Sequence, residues 1–176
     1  MRIAFAAIVI SIASLVASCA EPAPLPEGAN ARVTRVIDGD TIDVQFVVSG
    51  HTSNDRVRLI GIDTPETKKP GSPIECFGPE ASHRTLELLP TGTPVMVHRD
   101  VEPRDDYGRL LGYVIRTSDG LFVNEELLDE GMATTLAIAP NNRLQTRFAT
   151  VEAAARAARR GLWGSCIDAV AGSVTP

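Results

Sequence analysis

The run Val57 to Ile62 is apolar on both faces of an extended chain, interrupted only by Arg58 and Gly61. A strand with one wet face alternates. One that is apolar at both parities must be covered on both sides, which requires a closed or heavily covered sheet. Gly61 suits a tight bend or bulge in such a sheet. Neighbouring segments supply partners. Val33, Val36 and Ile37 mark a first strand, and Ile42, Val44, Phe46 and Val48 alternate with Thr41, Asp43 and Gln45 as one buried face demands. Ser49 to Asp55 reads as a turn, Val95 to Asp100 as a fourth strand and Arg109 to Arg116 as a fifth. Pro79 fits the first turn of a helix reaching about Leu89, with Glu80 favourable near its positive end. A short helix over Asn124 to Glu130 is closed by Gly131. A last helix, Asn142 to Arg160, carries Leu144, Phe148, Val151, Ala155 and Ala158 on one stripe, with Trp163 as an anchor beyond it. Five strands interrupted by a helix, with helices last, suggest a mixed α+β fold, a five-stranded OB-fold-type β-barrel capped by about three α-helices, while hydrophobic periodicity alone leaves many α+β folds open.

The N-terminus reads as targeting. Arg2 precedes an apolar stretch from Ile3 to Ala17, too short and wrongly flanked for a membrane span, so residues 1–18 read as an export signal. Val16-Ala17-Ser18-Cys19 resembles a lipobox, which makes Cys19 a lipidation site and a membrane anchor; cleavage after Ala20 and an uncleaved anchor are the rivals. Residues 19–30, rich in proline, read as a flexible tether. With Cys19 engaged, Cys76 and Cys166 remain as an even pair. Export permits a disulfide between them, and two unpaired buried thiols are the alternative. Neither cysteine has a third metal-type ligand nearby, and His51, His83 and His98 are scattered, which argues against zinc. The formal charge of −5 becomes −6 once Arg2 is removed, so tight nonspecific coating of nucleic acid is disfavoured.

Two acidic clusters stand against that background, Asp38-Gly39-Asp40-Thr41 and Asp63-Thr64-Pro65-Glu66, each with an arginine in its region, Arg58 or Arg109. A phosphodiester is anionic, so attack by water requires neutralisation of the charge that develops on phosphorus. Carboxylates can hold a hard cation, and guanidinium forks can hold phosphate oxygens. A carboxylate such as Glu66 can accept a proton from water if it lies within reach. Taken alone, Asp-Gly is equally a turn between strands, and Arg58 could simply pair with an aspartate. Asp38 reads as a turn residue rather than a direct ligand. The arginines at 143, 147, 156, 159 and 160 read as a solvated helix flank.

Several motifs in order resemble the thermonuclease family of the calcium-dependent staphylococcal-nuclease type. They are Val36-Ile37-Asp38-Gly39-Asp40-Thr41, the run Arg58 to Lys68, Phe77-Gly78-Pro79-Glu80-Ala81, Asp106-Tyr107-Gly108-Arg109, Pro140-Asn141-Asn142 and Gly161-Leu162-Trp163. The resemblance implies a nuclease domain over 31–166, followed by a tail over 167–176. It implies Ca2+ held by Asp40, Asp63 and the Thr64 carbonyl, with Glu66 as base and Arg58 and Arg109 as phosphate clamps. Tyr107 would touch a nucleotide phosphate. Lys68 and Lys69, in the loop after Glu66, could touch a distal phosphate or equally be solvated surface residues. The implied substrate is nucleic acid, single-stranded DNA or RNA favoured, cleaved to leave 3′-phosphate ends. Monomer is the default. Leu136, Ile138 and Ala139 depart from the family, whose members place tyrosines and a lysine there, and this bears on substrate affinity. The rival readings are a noncatalytic nucleic-acid-binding barrel of the envelope and an envelope scaffold.

Overall fold

The computed structural model describes residues 24–67, 71 and 73–166. Cys19, Lys68, Lys69, the expected signal segment and the tail lie outside the described residues. In chain order the elements are β1 (Ala31–Asp38), β2 (Thr41–Val48), β3 (His51–Leu59), β4 (Gly61–Asp63), α1 (Gly78–Leu88), β5 (Pro94–His98), β6 (Leu110–Arg116), β7 (Leu121–Phe122), α2 (Val123–Asp129), β8 (Thr134–Leu136), α3 (Gln145–Ala157) and the single turn α4 (Leu162–Ser165). Strands β3, β2, β1, β5 and β6 lie side by side, and β3 pairs with β6 to close the ring. The closing ladder is parallel and the others are antiparallel. This is the five-stranded barrel with helical caps that the strand pattern predicts. Short β7 extends β6, and β4 pairs with β8 in a separate ribbon.

Closure explains why the middle of the chain is apolar at both parities. Val57 and Leu59 point into the barrel with Ile42, Val44, Val95, Val97 and Val114, while Ile60 and Ile62 continue under the helices. Phe148 of α3 is fully buried and meets Tyr113 and Phe122 at ring-centroid distances of 6.1 and 5.7 Å. Gly61 sits at φ +81°, and a Cβ there would lie 2.5 Å from a Phe148 ring carbon. Both the backbone conformation and the close approach of the ring therefore require glycine. Where the chain breaks between β3 and β4, buried Asn124 replaces the missing ladder bonds. Its Nδ2 donates to the Ile60 carbonyl at 2.9 Å, and its Oδ1 accepts from the Val114 amide at 2.9 Å.

Several boundaries differ from expectation. The turn predicted over Ser49 to Asp55 is only Ser49-Gly50; both residues have positive φ, the geometry that matches the twist of a tight hairpin. His51 to Asp55 instead pair with Val48 back to Val44. This polar end of the hairpin extends beyond the core, so it carries no alternation to reveal it. The last helix is shorter than predicted at both ends: turns occupy Pro140 to Leu144, and Arg159 adopts φ 54°. Asn30, the last residue of the expected tether, is already fastened to β5 by bonds to Val95 and Val97. Trp163 is half-buried, with the Arg156 guanidinium 4.0 Å above its ring. Cys76 and Cys166 are joined by a disulfide.

Candidate active site

The β1–β2 turn and the end of β4 are pressed together. Gly39 makes this possible, because a Cβ at that position would lie 2.6 Å from the Thr64 hydroxyl oxygen. Thr85 of α1 donates to the Gly39 carbonyl at 2.6 Å and holds the turn from the other side. Asp40, 8% exposed, then reaches across. Its Oδ2 accepts from the Thr64 amide at 3.1 Å and the Thr64 hydroxyl at 3.2 Å, and its Oδ1 accepts from the Thr41 hydroxyl at 2.9 Å. The two acidic motifs, distant in sequence, therefore share one wall.

Arg58 stands between them. Its Nη2 lies 3.0 Å from Asp40 Oδ2 and 2.7 Å from Asp63 Oδ1, while Nη1 donates to the Leu59 and Ile62 carbonyls at 2.7 and 2.8 Å. The side chain is only 12% exposed, so this guanidinium neutralises carboxylates as well as lining the cleft. Arg109 has a freer disposition. Its Nε donates to Asp105 Oδ2 at 2.6 Å, and its guanidinium lies 5.4 Å from the Tyr107 ring centroid. Asp105 also accepts the Arg109 and Tyr107 amides, so one aspartate sets the turn that carries both residues.

Asp38, Asp40, Asp63, Glu66 and Glu75 face Arg56, Arg58 and Arg109 around a cleft of about 430 Å³. Burial pushes the Asp63 carboxyl above its ordinary value; Arg58 opposes this, and Asp40, Glu75 and Glu66 add to it. A surplus of negative charge here is the electrostatic setting that receives a cation. The donors are hard oxygens, and Asp40 Oδ2 and Asp63 Oδ1 share one guanidinium nitrogen at 3.0 and 2.7 Å. Both carboxylates therefore reach one common point on the cleft wall. Among the described residues, no group of three or more His, Cys, Asp or Glu side chains forms a metal-holding cluster. Two carboxylates and the main-chain oxygen of Thr64 fit the ion in donor chemistry, with the remaining positions left to water or substrate.

Three residues outside the expected set hold it in place. Burial would raise the Asp38 carboxyl, yet bonds from Ser82, Thr67, Gly39 and Glu66 hold it below its ordinary value. Through Ser82 Oγ at 2.6 Å and Thr67 Oγ1 at 2.8 Å it links the turn, α1 and the residue after Glu66. Glu75 clasps Glu66 from the far end of the loop: the Glu66 amide donates to Glu75 Oε2 and the Glu75 amide to the Glu66 carbonyl, each at 3.0 Å. The disulfide follows immediately at Cys76. The third is Asp105. Its place two residues before Tyr107 and three before Gly108 is a turn signal visible in the sequence; Glu75 has none, because its partner is fixed only by the loop's closure. Tyr107, Leu136, Ile138 and Pro140 line an adjoining cleft of about 440 Å³ that shares Arg58 and Arg109.

The arginines of the last helix do not form a free basic patch. Arg147 pairs with Glu125, Arg160 with Asp129 at 2.5 Å, and Arg156 with Glu152 at 3.4 Å. Among the described residues no helix is long and apolar enough to cross a membrane.

Residues 56–165 match the family of staphylococcal nuclease homologues. That segment contains Arg58, Asp63, Thr64, Glu66, Tyr107 and Arg109; Asp38 and Asp40 precede it. The chain is 38% identical over 136 residues to a thermonuclease of Staphylococcus intermedius, covering 77% of each protein. It is 37% identical over 134 residues to a thermonuclease of Staphylococcus hyicus, covering 76% of this chain and 75% of the relative. It is also 38% identical over 135 residues to endonuclease YncB of Bacillus subtilis, covering 76% of this chain and 61% of that protein.

Proposed function

This chain belongs to the staphylococcal nuclease family, and on that premise we propose that it is a calcium-dependent endonuclease acting on single-stranded DNA and RNA. The observation that carries the reading is the single cleft in which Asp40, Asp63 and Glu66 meet Arg58 and Arg109. Calcium, the ion the resemblance implies, would be held by the Asp40 and Asp63 carboxylates and the Thr64 carbonyl, and supplies positive charge to polarise a phosphoryl oxygen. Arg109, steadied by Asp105 through Nε, offers its outer edge to nonbridging oxygens. Arg58 contributes positive charge at the carboxylate wall and a second clamp. Glu66 takes the proton of the attacking water. The water oxygen bonds to phosphorus and the bond to the 5′ oxygen breaks, that oxygen taking a proton from solvent water, which leaves a 3′-phosphate and a 5′-hydroxyl. Tyr107 would contact a phosphate of the bound nucleotide, and Lys68 and Lys69 would supply positive charge for a distal one.

Incubating the protein with single-stranded DNA and with RNA, in calcium or in excess chelator, tests this directly. Hydrolysis with 3′-phosphate ends in calcium alone is expected. Asp40→Asn, Glu66→Gln and Arg109→Gln should each lower kcat by about 10²–10³-fold, the scale of a lost transition-state contact. Equal hydrolysis in chelator, or in all three variants, would overturn the reading. Binding without hydrolysis would identify a noncatalytic nucleic-acid-binding barrel instead. The same proposal extends to export and a lipid anchor at Cys19 in the cell envelope. Replacing Cys19 should then release the protein from the membrane fraction, and continued retention would count against that route.

A further inference from the structure

The alternation of β3 buries Val57 and Leu59, so Arg56 and Arg58 project together from the outer face of the barrel. The closing ladder pairs Val57 with Leu110 and Arg58 with Leu111 in parallel, and residues paired in this way share a face. One step back along the same register brings Arg109 beside Arg56. Barrel closure thus gathers three guanidinium-bearing positions on one surface, and all three line the same cleft. Arg58 is occupied by Asp40 and Asp63, and Arg109 is steadied by Asp105. Arg56 has no role in the proposed chemistry.

We propose that Arg56, supported by Arg35, binds a backbone phosphate of a single-stranded polynucleotide next to the reacting one. This rests on the nuclease reading above and specifies its substrate as a strand that continues across the barrel face rather than an isolated nucleotide. Arg56 donates from Nε to Asp43 Oδ1 at 2.8 Å and from Nη2 to Oδ2 at 3.3 Å. Arg35, directly across the sheet, donates from Nη2 to the same Oδ2 at 2.8 Å. Two cations share one carboxylate, so the trio carries a net positive charge. Adjacent Asp55 does not cancel it, because Arg104 already pairs with Asp55 at 2.5 Å. The side chains of Arg35 and Arg56 are 65% and 46% exposed. Arg56 uses only its Nε–Nη2 edge on Asp43, and its Nη1 has no hydrogen-bond partner among the described residues. A guanidinium held on one edge is oriented before the ligand arrives, so less side-chain entropy is lost when its other edge takes a phosphate. On a chain of formal charge −5, this local surplus beside the cleft attracts a polyanion where most of the surface repels it.

The test measures binding of a labelled single-stranded oligonucleotide in excess chelator, which prevents hydrolysis, across a salt series. Arg56→Gln should weaken binding about three- to five-fold at low salt, the scale of one exposed ion pair. It should also reduce the slope of log K against log salt by about 0.7, as expected for one lost phosphate on a single strand. Binding of a nucleoside 3′,5′-bisphosphate should be unchanged, Arg56→Lys should restore most of the loss, and in calcium KM for the oligonucleotide should rise with kcat constant. Arg35→Gln should act in the same direction, whereas Arg159→Gln on the helical side should do nothing. Unchanged affinity and slope in Arg56→Gln, or an equal loss in Arg159→Gln, overturns the inference while leaving the nuclease reading intact. A wild-type protein that neither binds nor cleaves the strand overturns both.

Discussion

Replacing both Cys76 and Cys166 by serine should cost this fold most of its margin. The bridge joins residues 90 apart in sequence, connecting the loop after β4 to the end of α4. Cross-linking removes loop-closure entropy from the unfolded chain. With a loop of 90 residues the chain model gives about 15–16 cal/mol/K, or about 4.6 kcal/mol at 25 °C. That is a large share of the roughly 5–15 kcal/mol by which ordinary domains are stable. At roughly 2–4 °C per kcal/mol the midpoint of thermal unfolding should fall by about 10–18 °C. Urea unfolding of the oxidised protein, the oxidised protein treated with reductant and the double serine variant measures the difference. The two forms without the bridge should agree with each other, and their m-values should exceed that of the oxidised protein, because an unlinked chain exposes more surface when unfolded. A loss below about 1 kcal/mol with unchanged m would refute the reasoning, since the unfolded chain would then already be compact without the bridge.

Asp63→Asn should abolish hydrolysis and yet stabilise the protein at neutral pH. The Asp63 carboxyl is raised, so the folded state binds its proton more tightly than the unfolded chain does. Its charge becomes a burden as pH rises through that raised value, and the variant's advantage should shrink in acid; a urea midpoint lower than wild type at pH 7 would contradict this. Gly61→Ala should lose about 2–4 kcal/mol from left-handed strain and the clash with Phe148, with part of the loss recovered in combination with Phe148→Leu. Chemical denaturation with no recovery in the double variant would leave backbone strain as the sole cause. Tyr113, buried and donating to Asp100 Oδ2 at 3.0 Å, has its phenol pushed up to about 12 by burial and by Asp100. The folded state keeps this proton after the unfolded chain has lost it, so stability should fall by about 2–3 kcal/mol between pH 10 and 12. Tyr113→Phe should flatten that interval of the urea midpoint–pH curve, and an unchanged slope would refute the assignment.

The barrel was legible because Val57 to Ile62 called for cover on both faces, and because Thr41 to Phe46 alternate, with Val47 the first break in the pattern. The outer half of β3 was not, since His51 to Asn54 are exposed and polar whether they form a strand or a loop. The short ribbon of β4 and β8 escaped for another reason: three residues per strand are too few to show a period. At the candidate site, the residue types and their order along the chain were visible, whereas their supports were not. Asp38 reads as a turn from its neighbour Gly39, yet its hydrogen bonds to Thr67 and Ser82 depend on where α1 docks. Glu75 reaches the Glu66 amide only because the intervening loop folds back, and no local spacing encodes that.

The closing ladder spans three residues of each strand, Val57 to Leu59 and Leu110 to Gly112, whereas β2 and β3 are paired along nearly their whole length. With the two-pair ladder between β1 and β5 it is one of two narrow seams in the wall, and it is where Arg58 and the strand entered from Arg109 run side by side. Gentle warming that parts this seam would scatter the cationic face while the long hairpin still stands. Loss of turnover should therefore precede loss of far-ultraviolet signal, so an inactivated preparation could still pass for a folded one.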